Sequence, residues 1–131
     1  MKEFKTKLKV DATAEEVYSA ITNPFAIELW TGYPAVMSTE PGSEFELWEG
    51  DICGKNLEFK ENEMVRQEWY FGDEGEPSIA TIYITARSKS KSEIYVKHTN
   101  IPDEFYENIS EGWKEDYLEA LRRFLEEGED E

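Results

Sequence analysis

The stretch DEFYENISEGWKEDYLEALRRFL, residues 103–125, decides the fold of this chain. Its apolar residues recur every three or four positions with carboxylates between them, at Phe105, Ile109, Trp113, Tyr117, Leu121 and Phe124. This period predicts one long amphipathic helix, which begins after Ile101-Pro102 and is interrupted only by Gly112. The segments before it have the alternation of strands, so the helix can bury its apolar stripe only against a sheet. We therefore expect a ligand, if there is one, to bind between these two layers.

Length and composition favour one compact domain. The chain has 131 residues, of which 39% are hydrophobic and 14% aromatic, which suits a single core, whereas two domains would each be undersized. We therefore interpret residues 1–131 as one domain with an acidic tail from about residue 126. The sequence shows neither the apolar run of a signal peptide nor a stretch of roughly 20 apolar residues for a spanning helix. We expect a cytoplasmic protein, and the single cysteine, Cys53, fits a reducing compartment.

The charge balance excludes two classes of partner. There are 30 acidic and 14 basic residues, a formal net charge of −16. Such a surface repels nucleic-acid phosphates and anionic lipid headgroups, so we expect neither a nucleic acid nor a membrane as partner. Residues 103–131 alone hold 12 acids and 3 bases. We interpret this excess as a solvated helix face and tail, with a basic protein partner as the alternative.

The N-terminal quarter predicts a strand and two short helices. Phe4, Leu8 and Val10 alternate with lysines, which indicates a half-buried strand whose lysine-lined outer face suits a sheet edge. Thr13, followed three residues later by Glu16, has the pattern of a capping box that begins a helix. Asn23-Pro24 ends this helix.

A second short helix follows over PFAIELWT, residues 24–31, with Pro24 as its first residue. We expect Phe25, Leu29 and Trp30 on its inner side.

Residues 34–99 alternate with a period of two, which predicts antiparallel strands joined by hairpins. The expected strands centre on 35–37, 45–47, 57–59, 65–71, 79–85 and 94–98. The sequence thus predicts an α+β fold: a curved antiparallel sheet of six to seven strands wrapped on the long C-terminal helix, with two short helices after the first strand.

Several segments resemble a known family. They are GSEFELWEGDICGKNLEF (42–59), MVRQEWYF (64–71), HTNIP (98–102) and EGWKEDYLEALRRFL (111–125). Together with the order of elements, they resemble the START-like (SRPBCC) superfamily. Within it, the chain is similar to the family named for the C-terminal domain of the heat-shock-protein-90 ATPase activator.

The resemblance implies a helix-grip fold, in which the last helix lies across a curved sheet around a cavity that often takes an apolar ligand. It also implies a possible chaperone partner. The 131 residues include no counterpart of the separate N-terminal domain, rich in Asn and Trp, that the family associates with ATPase stimulation. The resemblance therefore does not by itself imply stimulation of the chaperone ATPase.

The expected ligand site follows from the alternation of the strands. Gln67 and His98 fall on the face that meets the helix, where they would orient an oxygen of the ligand or else satisfy each other, a backbone group or Tyr117. Trp48 has the opposite parity to Phe45 and Leu47, so we expect it at the surface. The candidate ligand-binding residues are Trp30, Phe45, Gln67, Trp69, Ile82, His98, Gly112, Trp113 and Tyr117.

The inventory of reactive residues argues against catalysis, a metal centre or a cofactor. One histidine and one cysteine do not make a zinc site with any familiar spacing, and Cys53 is expected to be a buried, inert thiol. The loop Gly72 to Glu76 is acidic enough to bind Ca²⁺ weakly, but it lacks the pattern of a calcium loop. A cyclase- or hydrolase-type enzyme would have to use His98, Glu58 and Tyr117 as acid and base candidates.

Two functions therefore stay open at this stage. The first is a non-enzymatic module that binds a small apolar ligand between sheet and helix. The alternative is a protein-interaction module similar to the chaperone activator, which would use the acidic helix face or Trp48. We expect a monomer or a weak homodimer in either case, because an edge strand offers a pairing surface.

Overall fold

A computed structural model describes residues 2–71 and 77–127 of the chain. Its strands and first two helices are β1 (Lys2–Val10), α1 (Ala14–Thr22), α2 (Pro24–Thr31), β2 (Glu44–Leu47), β3 (Ile52–Lys60), β4 (Met64–Trp69), β5 (Ser78–Ala86) and β6 (Ser92–Ile101). The candidate calcium loop and residues 128–131 of the acidic tail lie outside the described residues.

The C-terminal helix, residues 103–127, is built of four consecutive parts. They are a 3₁₀ turn (Asp103–Phe105), α3 (Tyr106–Glu111), a π-helical segment (Gly112–Leu118) and α4 (Glu119–Glu127). Gly112 has φ −61° and ψ −40°, so it continues the helix. The prediction that Gly112 interrupts the helix is therefore wrong: the irregularity is the wide π turn that begins there.

The sheet has the order β1-β6-β5-β4-β3-β2, and every neighbouring pair is antiparallel. This confirms the α+β fold with its curved antiparallel sheet, and β1 lies at an edge as predicted. Around Val36, where a further strand was expected, the described chain makes only an isolated bridge to Glu46. Val36 itself is 53% exposed, whereas Met37 next to it is buried.

Both N-terminal helices have the caps that the sequence predicts. Thr13 accepts a hydrogen bond from the Glu16 amide at 3.0 Å, and the Glu16 carboxylate accepts one from the Thr13 amide at 2.8 Å. Asn23 ends α1 and caps α2, since its Oδ1 accepts a hydrogen bond from the Phe25 amide at 2.8 Å. These caps satisfy amides that a helix start would otherwise leave unpaired.

The predicted inner side of α2 is wrong for two of its three residues. Phe25 and Leu29 are 78% and 72% exposed, whereas Ile27 and Trp30 are buried at 1% and 7%. This helix has apolar residues of its own on all sides, so the sequence could not indicate which side faces the core. The structure buries the side that holds Trp30.

The core lies between the concave face of the sheet and the C-terminal helix. From the helix it receives Trp113, Tyr117, Leu118, Leu121 and Leu125, each at most 4% exposed. Phe105, Ile109 and Phe124, which the predicted stripe included, are only partly buried. The wide π turn brings both Tyr117 and Leu118 inward and so shifts the stripe toward Leu125.

We predict that Gly54→Ala lowers the free energy of unfolding by about 3 kcal/mol or more, the upper end of overpacking effects. Gly54 lies where β3 crowds β4, and an added Cβ would lie 1.8 Å from the Glu68 carbonyl oxygen and 3.0 Å from the Phe45 ring. Urea unfolding monitored by tryptophan fluorescence measures the change.

The matched control is Gly112→Ala. Its Cβ would meet nothing nearer than an Asp116 carboxylate oxygen at 3.9 Å, so we expect a gain of up to about 1 kcal/mol from helix propensity. A wild-type midpoint for Gly54→Ala would contradict the steric argument.

Candidate functional site

A cleft of about 400 Å³ opens along the π-helical segment. Its opposite wall comes from the end of α2 and from the turn between β2 and β3. Five predicted site residues line it, namely Trp30, Trp69, Gly112, Trp113 and Tyr117, together with Thr31, Trp48, Asp51, Ile52, Asn108, Ile109, Glu115, Asp116 and Ala120.

Aromatic rings form the floor of the cleft. The ring centroids of Trp30 and Tyr117 are 4.9 Å apart, those of Trp30 and Trp48 are 5.9 Å apart, and those of Trp48 and Tyr117 are 6.2 Å apart. The Trp30 indole N–H donates a 2.9 Å hydrogen bond to the Ala20 carbonyl, which fixes this ring between α1 and the cleft. The three rings are therefore held by mutual packing and by α1.

Trp48 contradicts the prediction that it is surface-exposed. It is half-buried and packs against Trp30 and Tyr117. The alternation of β2 ends at Leu47, and the next three residues have left-handed backbone, with φ 51° at Trp48, 58° at Glu49 and 97° at Gly50. This turn rotates Trp48 away from the side that strand parity would assign to it.

The Tyr117 hydroxyl is an unpaired polar group at the floor. Tyr117 is 4% exposed, and no hydrogen bond to its hydroxyl occurs within residues 2–71 and 77–127. Every fully buried side-chain nitrogen and oxygen in these ranges has a partner, so the hydroxyl keeps its small accessible area toward the cleft that Tyr117 lines. Burial raises the pKa of Tyr117 well above its usual value, which keeps the hydroxyl neutral.

Behind the floor, Trp113 joins the helix to the sheet. Its indole N–H donates a 3.0 Å hydrogen bond to His98 Nδ1, and its ring stacks on Trp69 at 4.9 Å with an interplanar angle of 22°. Because Nδ1 accepts, the proton of the neutral imidazole lies on Nε2, which donates to Ser78 Oγ at 2.8 Å. Ser78 donates in turn to the Thr99 carbonyl at 3.2 Å.

Both ends of the Gln67 amide are also hydrogen-bonded to other side chains. Its Oε1 accepts a hydrogen bond from the Trp69 indole N–H at 3.0 Å, and its Nε2 donates to Asn56 Oδ1 at 3.0 Å. Asn56 Nδ2 donates a further hydrogen bond to Ser43 Oγ at 3.1 Å. Gln67 therefore orients Trp69, which lines the cleft.

Four of the nine predicted site residues do not line the cleft: Phe45, Gln67, Ile82 and His98. Strand parity placed them correctly on the face that meets the helix, where each is at most 2% exposed. The C-terminal helix packs directly on this face. The cleft therefore lies at the side of the helix, and not between the helix and the sheet as expected. Protein groups satisfy both residues, but the partners are Trp113 and Ser78 for His98 and Trp69 and Asn56 for Gln67, and not the expected ones, which were each other, a backbone group or Tyr117.

The residues that sequence reasoning missed come from the ends of elements and from polar positions of the C-terminal helix. Thr31, Asp51 and Ile52 lie at ends of elements, and Asn108, Glu115 and Asp116 are polar positions of the helix. Neither group carries a periodic signal. Cys53, expected to be buried, is partly exposed.

Other site types have little support in the described residues. Within residues 2–71 and 77–127, no three His, Cys, Asp or Glu side chains cluster in a way that could hold a metal ion. The helices of the same ranges lack the combination of length and hydrophobicity that a membrane-spanning helix needs.

Comparison with known families gives the same fold. The family described as Activator of Hsp90 ATPase homolog 1-like protein matches residues 11–126. The chain belongs to this family. The match confirms the resemblance that the sequence motifs indicated, and all residues that line the cleft fall inside it.

Two curated relatives are mammalian members of this Hsp90-activator family. The chain is 25% identical over 117 residues to Activator of 90 kDa heat shock protein ATPase homolog 2 of Mus musculus, with 88% of this chain and 35% of the relative covered. It is 24% identical over 110 residues to homolog 1 of Homo sapiens, with 83% and 32% covered. The chain thus spans about a third of the length of these relatives.

Two solved structures of the Hsp90-activator type share the fold over more than nine-tenths of their length. An HSP90 activator from Plasmodium falciparum superimposes with a TM-score of 0.84 at 20% identity, covering 92% of this chain and 94% of that one. The Aha1 dimer from Colwellia psychrerythraea superimposes with a TM-score of 0.83 at 18% identity, covering 98% of both chains.

We predict that the buried histidine makes stability depend on pH. Burial lowers the pKa of His98 from 6.5 to about 4, so between these values the unfolded chain binds a proton that the folded chain excludes. The contribution of His98 is complete above pH 6.5 and is lost as the pH falls toward 4. From pH 7 to pH 5 the free energy of unfolding should decrease by about 2 kcal/mol through this residue.

Urea unfolding at half-unit pH intervals measures this slope in the wild type and in His98→Gln. The variant should show a flatter profile between pH 7 and pH 5, whatever its absolute stability. Equal slopes in the two proteins would contradict a neutral buried imidazole.

Proposed function

We propose that this chain is a non-enzymatic START-like module that binds a small apolar ligand in the cleft beside the C-terminal helix. The observation that carries the proposal is the aromatic floor of Trp30, Trp48 and Tyr117 in a cleft of about 400 Å³. Ligand pockets of this volume, mostly apolar with few polar groups, suit small organic molecules.

The placement of the reactive residues supports a role without catalysis. Tyr117 lies in the cleft, His98 lies behind Trp113 with both ring nitrogens bonded, and Glu58 pairs with Arg66 at 2.7 Å on the sheet. The three acid and base candidates therefore do not converge on one point. The curated relatives, too, are named as activators of an ATPase. A cytoplasmic location, and a monomeric or weakly dimeric state, remain predictions.

Thermal unfolding with neutral lipid-like and aromatic compounds tests the proposal. A compound that binds only the folded state adds about 2.7 kcal/mol of stability at roughly a hundred times its Kd, so the melting temperature should rise. Gly112→Phe should abolish this rise, because the added ring fills a cleft in which the glycine leaves open space. Native mass spectrometry checks the stoichiometry.

The control is Glu111→Phe, which adds the same ring at the preceding exposed position outside the cleft. It should keep the ligand-induced rise. An equal rise in both variants would place binding elsewhere, and no rise with any compound would overturn the proposal.

A second candidate function is binding to a chaperone of the Hsp90 class. The relatives' names suggest this partner, and the outer side of α2 favours a protein contact. There Phe25 and Leu29, four residues apart on one helix face, are 78% and 72% exposed. The sequence suggested Trp48 as a contact residue for a protein partner. Because Trp48 faces the cleft, we propose the surface of Phe25 and Leu29 in its place.

Calorimetry with a purified Hsp90-class chaperone tests the second candidate. The double variant Phe25→Ser/Leu29→Ser should weaken binding about tenfold or more, as expected for two apolar interface residues. Its melting temperature should stay close to the wild type, because both side chains are exposed in the free protein. Gly112→Phe serves as the control and should bind normally, whereas unchanged affinity of the double variant would exclude this surface.

A further inference from the structure

The rim of the cleft is acidic. Asp51, immediately before β3, lines the cleft together with Glu115 and Asp116 of the π-helical segment, and all three are exposed. None of the three forms an ion pair within residues 2–71 and 77–127, whereas Glu119 and Glu58 are paired with arginines. Basic side chains of the described residues therefore do not compensate these three carboxylates at the cleft opening.

Among the described residues, the side chains that line the cleft include no basic one. Basic residues lie instead on other grooves of the described surface, where Lys9, Arg87 and Lys91 or Lys7 and Lys97 contribute to the walls. The whole chain has a formal net charge of −16, and the lack of basic side chains makes the cleft more negative than the other grooves. A concave site with walls of one sign raises the local concentration of the opposite charge.

The floor suits a positive charge as well. Indole and phenol rings attract cations through their negative faces, and Trp30, Trp48 and Tyr117 supply three such rings. The neutral Tyr117 hydroxyl, which lacks a partner in the described chain, offers an acceptor for an N–H donor. Rim, rings and hydroxyl thus favour the same kind of ligand.

We propose that the cleft binds an organic cation with an apolar body, that is, an alkyl- or arylammonium compound. The inference rests on the proposed function and names its ligand class. The ammonium group lies in the cleft, where it donates to the Tyr117 hydroxyl and the rim carboxylates compensate its charge, and the apolar body covers the remaining aromatic floor. Anionic amphiphiles of the same shape are repelled by the same three carboxylates.

A matched series of probes tests the charge preference. Octylammonium, 1-octanol and octanoate share one chain and differ in charge, and at pH 7 the amine is protonated. Calorimetry should give the order octylammonium, octanol, octanoate, with about tenfold or more between the first and the last. Raising the salt concentration should weaken octylammonium binding and leave octanol binding unchanged.

A matched pair of variants assigns the preference to the cleft. Glu115→Gln/Asp116→Asn should reduce octylammonium affinity several-fold and leave octanol affinity unchanged. Glu107→Gln/Glu111→Gln removes the same number of charges from the same helix outside the cleft, so it should leave octylammonium affinity near that of the wild type. Equal losses in the two variants would mean that only the net charge of the protein matters and would overturn the proposal.

The outcomes separate this inference from the proposed function. Binding of none of the three probes would count against the proposed function itself. Octanol or octanoate binding as tightly as octylammonium would leave the apolar cleft in place and overturn only the cation preference. Arginine amide serves as a fourth probe, and its binding in the absence of octylammonium binding would assign the cleft to a basic side chain of a protein partner.

Discussion

The contact between Trp113 and His98 determines how the C-terminal helix meets the sheet. The indole donates to the imidazole at 3.0 Å, and its ring stacks on Trp69. A buried donor left without its acceptor would cost about 1–3 kcal/mol, so this bond favours one depth and one rotation of the helix. With Trp113 fixed, Leu121 and Leu125 close the core farther along the helix, and Gly112 and Tyr117 remain beside the free space.

Both walls of the cleft depart from regular backbone geometry. The helix wall contains the π turn, which accommodates an extra residue and brings Tyr117 and Leu118 inward together. The opposite wall contains the left-handed Trp48 and Glu49, a conformation that costs about 1–3 kcal/mol for each such residue. Regular helix and strand geometry would give neither the wide turn nor the inward Trp48. The free space and its aromatic floor are thus consequences of these two irregularities.

The sequence predicted the elements whose signals are periodic. Alternation placed Gln67 and His98 on the inner face, and the capping pattern located α1, because both signals arise from neighbouring residues. The inner side of α2 could not be predicted, since apolar residues surround this short helix and only tertiary packing selects Trp30. The positions of Trp48 and Asp51 could not be predicted for another reason. Residues with left-handed backbone turn the chain there, so strand parity no longer indicates which way a side chain points.

The cleft and the exposed apolar surface share one helix without sharing side chains. On α2, which has eight residues, Trp30 lies in the cleft while Phe25 and Leu29 face outward. A small molecule against Trp30 therefore leaves the outer surface free for a protein. Since Ile27 and Trp30 hold this helix in place from the inner side, a ligand that orders Trp30 would also steady the surface that carries Leu29. A ligand shifts only an equilibrium that already exists. Coupling between the cleft and the outer surface of α2 would therefore depend on how far α2 changes position in the free protein.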